Sequence, residues 1–105
     1  MSLILDEKNF QSEVIKNPAP ALVDFWAPWC GPCLTMVPLM DELAEESKGR
    51  FKVGKVNVDE NPKLASHYGI MSIPAFKIFK NGKVVKDFVG IQAKETLKSE
   101  LEKFL

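Results

Sequence analysis

Cysteine is scarce in this chain, with two in 105 residues. A small secreted fold stapled by disulfides normally carries four or more, and a chain of this length can bury a sufficient core unaided. The pair is therefore not read as reinforcement. Histidine is scarcer still: His67 stands alone. A structural zinc site takes four ligands, so Cys30, Cys33 and His67 would need carboxylates or a partner chain to complete one. An iron–sulfur cluster wants four cysteines. A c-type haem wants a histidine after the second cysteine, where Leu34 stands. No metal is expected. Charge of one sign is absent too, since 14 Lys plus Arg balance 14 Asp plus Glu. With no basic excess to neutralise a phosphate backbone, nucleic-acid binding is not expected. No stretch approaches the ~18 apolar residues of a membrane span. Met1–Leu5 is followed at once by Asp6 and Glu7, with neither a basic n-region nor an apolar h-region, so an intracellular, cytoplasmic protein is expected.

What is present suits one globular domain over residues 1–105. Apolar residues are 46% and charged residues 27%, which excludes disorder. The first half is richer in acids and the second in bases, a pattern read as solvated helix and strand faces. Leu3–Leu5 is a short strand candidate. Asp6 can cap a helix to about Lys16, with Phe10 and Val14 on one face, stopped by Asn17-Pro18-Ala19-Pro20. Ala21–Ala27 is an almost unbroken apolar run, as in a strand buried on both faces. From Pro32 to Lys48 the period becomes helical, with Met36, Met40, Leu43 and Ala44 on one side. Pro38 should kink that helix, and Gly49 ends it. Phe51–Val58 reads as a strand. Asp59-Glu60-Asn61-Pro62 opens a short helix to Tyr68. Ala75–Lys80 and Lys83–Val89 are strands joined by Asn81-Gly82, a strong hairpin signal. Ala93–Leu105 is amphipathic, with Leu97, Leu101 and Phe104 in register. The order β-α-β-α-β-α-β-β-α predicts an α/β fold: a mixed central sheet with helices on both faces, parallel where helices separate strands and antiparallel at the final hairpin.

Cys30-Gly31-Pro32-Cys33 lies between a buried strand and a helix. A helix N-terminus offers free N–H groups and partial positive charge, which favour a thiolate. Cys30, nearer the end, is the expected nucleophile, and Cys33, one turn on, can attack a mixed disulfide made by Cys30. Pro32 fits the first turn, where its missing N–H costs nothing. This context favours redox chemistry over the metal readings. Asp24 interrupts the most apolar run. A lone buried carboxylate must be paired, hydrated or protonated, and Lys55, inward on the next strand, is a plausible partner. One reading gives Asp24 a raised pKa and the proton of Cys33; the other makes it a strand-end residue reaching water. The unbroken run favours the first. Ile73-Pro74 reads as proline at the start of a strand, and nothing in the residues alone calls for a cis bond there. Trp26 reads as core, Trp29 as partly exposed beside a reactive thiol, and His67 as a surface or boundary residue.

Taken together, these residues resemble the thioredoxin family. Trp29-Cys30-Gly31-Pro32-Cys33 matches its active-site motif, and Val23-Asp24-Phe25-Trp26-Ala27 the strand with its buried Asp. Lys55 falls at the lysine beside that Asp, and Pro38 at the helix proline. Tyr68-Gly69-Ile70 through Ile73-Pro74 matches its cis-proline loop. Phe79-Lys80-Asn81-Gly82 and Gly90 match its C-terminal hairpin. The match runs from about Leu3 to Leu105. The resemblance implies a thioredoxin fold with a five-stranded sheet and a general protein-disulfide reductase. In it Cys30 attacks, Cys33 resolves, Asp24 accepts the proton and Lys55 modulates Asp24. Thioredoxin reductase would restore the dithiol with NADPH, which belongs to that partner, since no dinucleotide fingerprint occurs here. No cofactor beyond the Cys30–Cys33 couple is implied. Clients would dock on Trp29, Gly31, Pro32, Ile73, Pro74, Gly90 and Met71, by a small strand addition at Ile73, onto a monomer. Leu34 and Met71 depart from the family's common charged residues, and Ser72 and Ala75 also differ. The rim so formed is either a contact patch for particular partners or neutral drift. Two other functions compete: a thiol oxidase or isomerase, disfavoured by Gly31-Pro32, and a non-catalytic docking subunit of another enzyme. A glutaredoxin is disfavoured because Gly31 stands where such proteins carry Tyr.

Overall fold

The computed structural model of the chain describes residues 2–105. Its strands are β1 (Leu3–Leu5), β2 (Ala21–Trp26), β3 (Lys52–Asn57), β4 (Ala75–Lys80) and β5 (Lys83–Val89), and its helices are α1 (Gly31–Ser47), α2 (Pro62–His67) and α3 (Lys94–Glu102). The strands form one sheet in the order β1-β3-β2-β4-β5. β1 and β2 flank β3 in parallel, while β4 runs antiparallel to β2 and β5 to β4. The α/β fold with a mixed five-stranded sheet is therefore present.

β2 lies at the centre, and Ala21–Phe25 are all buried, as the apolar run demands. Successive side chains point to opposite faces, so one strand feeds two cores. Leu22 packs with Met36, Met40 and Leu43 of α1 and with Leu97 and Leu101 of α3. Val23 and Phe25 pack on the other face with Phe10, Val14 and Phe79, against which Leu64 of α2 also rests. Helices thus cover both faces. α1 continues past Pro38 as one element. Asn81 and Gly82 both take positive φ, 55° and 79°, the geometry a two-residue hairpin turn requires.

Two elements depart from the sequence-based expectation. After Asp6, whose carboxylate accepts the N–H groups of Lys8 and Asn9 at 2.8 and 2.9 Å, residues Gln11–Ile15 form a wide turn rather than an ordinary helix. It closes with the Lys16 N–H donating to the Gln11 carbonyl at 2.9 Å, five residues back. Phe10 and Val14 are buried as expected. Two apolar residues four apart suit either geometry, so the pattern does not separate them. The second departure is the direction of β4. A strand reached through a helix is expected to run parallel, yet β4 is antiparallel to β2. The six residues of α2 rise only about 9 Å, whereas a six-residue strand spans ~20 Å. α2 cannot carry the chain back along the sheet, so β4 starts at the end where β3 finished.

The uneven charge distribution becomes a contact between α1 and α3. Lys94 Nζ donates to Glu46 at 2.6 Å and Glu42 at 3.2 Å, and Lys98 Nζ to Glu46 at 2.9 Å. These groups lie at the surface, where solvent screens them, so they orient α3 more than they hold it. Gly54 of β3 lies between β1 and β2, where the neighbouring strand leaves no room for a side chain. A Cβ there would stand 2.5 Å from Leu5 Cδ1 and 3.1 Å from the Leu3 carbonyl oxygen. Gly54→Ala should therefore lower stability by about 1–3 kcal/mol through overpacking, read as a fall in the denaturant midpoint at unchanged m-value.

Candidate functional site

β2 delivers the chain into a tight turn, Ala27-Pro28-Trp29, closed by the Cys30 N–H donating to the Ala27 carbonyl at 3.1 Å. α1 begins at Gly31, which makes Cys30 its N-cap residue, with extended backbone at φ −93° and ψ 107°. The Cys30 sulfur accepts the Cys33 N–H at 3.2 Å, as a Ser or Asp side chain would at that position. Gly31 and Pro32 fill the first two helical positions, exposed, where proline sacrifices no hydrogen bond. Cys33 lies one turn inside, fully buried, while Cys30 keeps a sliver of its surface open. The two are joined as a disulfide with Cα atoms 5.2 Å apart. Ala27, Trp26, Val58 and Ile73 pack around them.

The antiparallel β4 explains why Ile73 is there. Ala75 pairs with Phe25 near the end of β2, so the residues just before β4 meet the turn just after β2. The Ile73 carbonyl oxygen lies 3.9 Å from the Cys30 sulfur, and the Ile73–Pro74 bond is cis. The Gly90 N–H donates to the Pro74 carbonyl at 2.8 Å. Gly90 takes φ 88°, a left-handed conformation that favours glycine. Ile73 is thereby held beside Cys30, and Gly90, distant in sequence, is tied to the same loop through Pro74. Trp29 is 70% exposed and Met71 95%, and Leu34 is exposed on the first turn of α1. The Trp29 indole N–H donates to the Asp59 carboxylate at 2.8 Å. Asp59 is the site residue that sequence reasoning missed. It follows β3, whose parallel pairing with β2 sets it level with Trp29, and no spacing along the chain announces that.

Asp24 is buried in the middle of β2, and its Oδ1 has no hydrogen-bond partner. Burial raises its pKa from 3.8 to about 7, against a smaller lowering by the Lys55 ammonium. Asp24 and Lys55 are partners in the β2–β3 register, yet they form no ion pair among the described residues. The Lys55 ammonium instead sits 5.2 Å over the ring of Trp26. Its long stem runs along apolar surface and carries the charge outward, into a pocket of about 240 Å³ lined also by Ile4, Asn57 and Glu60. His67 is exposed on α2, away from the cysteines. Among the described residues no cluster of His, Cys, Asp and Glu could hold a metal ion, and no helix is long and apolar enough to cross a membrane.

Opening the Cys30–Cys33 bond consumes two electrons and yields two thiols, and closing it returns them. The class that this fold and pair define is that of the dithiol–disulfide oxidoreductases. The thioredoxin family model matches residues 1–103. Thioredoxin 1 of Nostoc sp. is 52% identical over 99 residues, which cover 94% of this chain and 92% of that protein. The thioredoxin of Synechocystis sp. is 50% identical over 101 residues, covering 96% and 94%. A rice protein named thioredoxin M5, chloroplastic, is 47% identical over 103 residues, covering 98% of this chain and 60% of its own greater length. The chain belongs to the thioredoxin family, and it is a reductase of protein disulfides whose redox-active pair is Cys30 and Cys33.

Proposed function

We propose that Cys30 is the attacking thiol and Cys33 the resolving one, and the observation that carries this is their unequal access. Cys30 caps α1 with its sulfur facing a backbone N–H and keeps 6% of its surface open, whereas Cys33 is wholly enclosed. Only Cys30 can meet a client. Its thiolate, favoured by the helix N-terminus, attacks one sulfur of the client disulfide. That S–S bond breaks, and the electron pair leaves on the other client sulfur. Cys33 then gives its proton to Asp24, attacks Cys30, closes the internal disulfide and expels the client's second thiolate. Asp24 suits the task because a carboxyl with pKa about 7 takes and releases a proton near neutrality. Lys55 tunes Asp24 by its charge, which works against the rise that burial causes.

Clients dock on Trp29, Gly31, Pro32, Met71, Ile73, Pro74 and Gly90, an extended client segment pairing with the backbone at Ile73. The protein acts as a single-domain monomer over residues 1–105. Thioredoxin reductase returns the dithiol at the expense of NADPH. Its compartment is the cytoplasm, where a dithiol stays reduced. The test is insulin reduction with NADPH and a thioredoxin reductase, for which steady NADPH consumption dependent on this protein is expected, and its absence would remove the reductase partnership. The Cys30–Cys33 potential should lie below about −180 mV, since a higher value belongs to isomerases and oxidants.

A further inference from the structure

Lys55 and Asp24 are register partners on neighbouring strands, and neighbouring strands lie only about 4.8 Å apart. The lysine stem is long enough to lay its ammonium on the Asp24 carboxyl. Yet Asp24 Oδ1 has no hydrogen-bond partner, and the ammonium stands 5.2 Å from the centroid of the Trp26 ring instead. We infer that Trp26 is a positioning residue of the reaction, whose ring holds the Lys55 ammonium off Asp24 and so keeps that carboxylate unpaired and basic. The use made of this basicity, taking the Cys33 proton, rests on the reading set out above.

Geometry and charge lead to the same place. Trp26 follows Asp24 by two residues on β2, so alternation sets both on one face of the sheet. Leu22 and Val53 mark that face on β2 and β3, and Lys55 shares it with Val53. The ammonium therefore has two destinations side by side. Around Asp24 the other neighbours carry no charge. β4 sets Phe76 opposite it, α1 and α3 bring Met36, Met40, Leu97 and Leu101 to the same face, and Cys33 is tied in the disulfide. Lys55 is the charge that acts on Asp24. Toward Trp26 the surroundings differ. Asp6 and Glu60 line the pocket there, and Asp41 of α1 also feels the Lys55 charge. These carboxylates draw the ammonium outward, and the negative face of the indole holds it. Trp26 is only partly buried, so the ammonium keeps water that a contact with buried Asp24 would remove. The consequence is chemical. An ammonium in contact with a carboxylate favours its ionised form and weakens its hold on a proton. Asp24 so paired would be a poor acceptor for Cys33. Held on the ring, the same charge acts only at a distance.

The test follows the Asp24 carboxyl carbon by NMR as the pH is raised, in the disulfide form, where neither cysteine titrates. Trp26→Leu should lower the pH of half-ionisation by about one unit, the low end of what an opposite charge at contact does to a carboxyl. Trp26→Phe, which keeps a ring, should lower it less. In a Lys55→Gln background, Trp26→Leu should leave the midpoint where it stands. An unchanged midpoint when Lys55 is present would overturn the inference. So would an equal fall in the Lys55→Gln background, which would mean that the ring acts by packing alone. Wild type supplies an independent measurement should Trp26→Leu fail to fold. The ring current of Trp26 should displace the Lys55 ε-methylene protons upfield equally at pH 5 and pH 9. Loss of that displacement as Asp24 ionises would show the ammonium leaving the ring for the carboxylate, and would also overturn the inference. In single turnover of the reduced protein, resolution by Trp26→Leu should level off at a lower pH and at about one-third of the wild-type rate, as a weaker base requires. If resolution proved independent of Asp24, the proton role would fall, while the carboxyl midpoints would still decide the placing of Lys55.

Discussion

Cys30→Ser is expected to reduce insulin at no more than about one-thousandth of the wild-type rate, because the nucleophile itself is lost. Cys33→Ser should fall as far in turnover by a different route. It keeps the attacking sulfur, so each molecule should stop as a mixed disulfide with its client, seen as a covalent adduct on a non-reducing gel. The pair of outcomes separates the two sulfurs by role, which equal loss of activity would not. Their environments dictate the asymmetry: the first cysteine caps α1 and keeps a sliver of its surface open, and the second is enclosed one turn below. Adducts on Cys33 in a Cys30→Ser protein would reverse the assignment. A Cys30→Ser/Cys33→Ser protein that still sustained a partner enzyme's activity would speak for a docking role independent of the dithiol.

Asp24→Asn should stabilise the protein and slow it, and both effects should depend on pH. The fold raises the Asp24 pKa from 3.8 to about 7 by burial. Below pH about 4 the carboxyl is protonated in both folded and unfolded chains, and its titration costs no stability. As the pH rises from there toward 7, the unfolded chain gives up its proton first, so the folded state becomes steadily less favourable. Above pH about 7 both forms are ionised, and the cost settles at about 4 kcal/mol. Asparagine does not titrate. The variant should accordingly gain about 2–4 kcal/mol over wild type at pH 8, a rise in Tm of roughly 10 °C or more, with the difference closing toward pH 4. A Tm difference that stays constant from pH 4 to pH 8 would show that ionisation of Asp24 is not its source. The same substitution removes the proton acceptor, so resolution by Cys33 should slow at least about tenfold at pH 8. Wild type should itself slow as the pH falls below about 7. An unchanged rate at neutral pH would contradict the proton-transfer role.

Most elements were legible because their signals are local. The Asn81-Gly82 hairpin follows from two residues that tolerate positive φ. α1 follows from the spacing of Met36, Met40 and Leu43 and from Pro32 in its first turn. The burial of β2 follows from an apolar run that no half-exposed strand would carry. The thiol pair was legible for the same reason, since Cys30 and Cys33 sit where strand gives way to helix. The misses involve relations between distant segments. The direction of β4 depends on how far α2 can carry the chain, a length that must be compared with the strand it follows. The Trp29–Asp59 hydrogen bond joins residues 30 apart through the parallel pairing of β2 and β3. Lys55 was placed beside Asp24 correctly, but its long side chain had two destinations, and the ring of Trp26 holds the ammonium.

The sequence by itself determined that two cysteines form one reversible couple at the head of a helix. Spacing and strand–helix context are properties of neighbouring residues, and they need no knowledge of the rest of the chain. Only the tertiary structure decided what surrounds that couple. The reversal of β4 brings Ile73 against Cys30, with Gly90 tied to the same loop through Pro74. Burial at the centre of the sheet strips water from Asp24 and raises its pKa. Each of these results from segments far apart in sequence sharing one sheet, so its cause is the length and direction of whole elements rather than the preference of any residue for its neighbours.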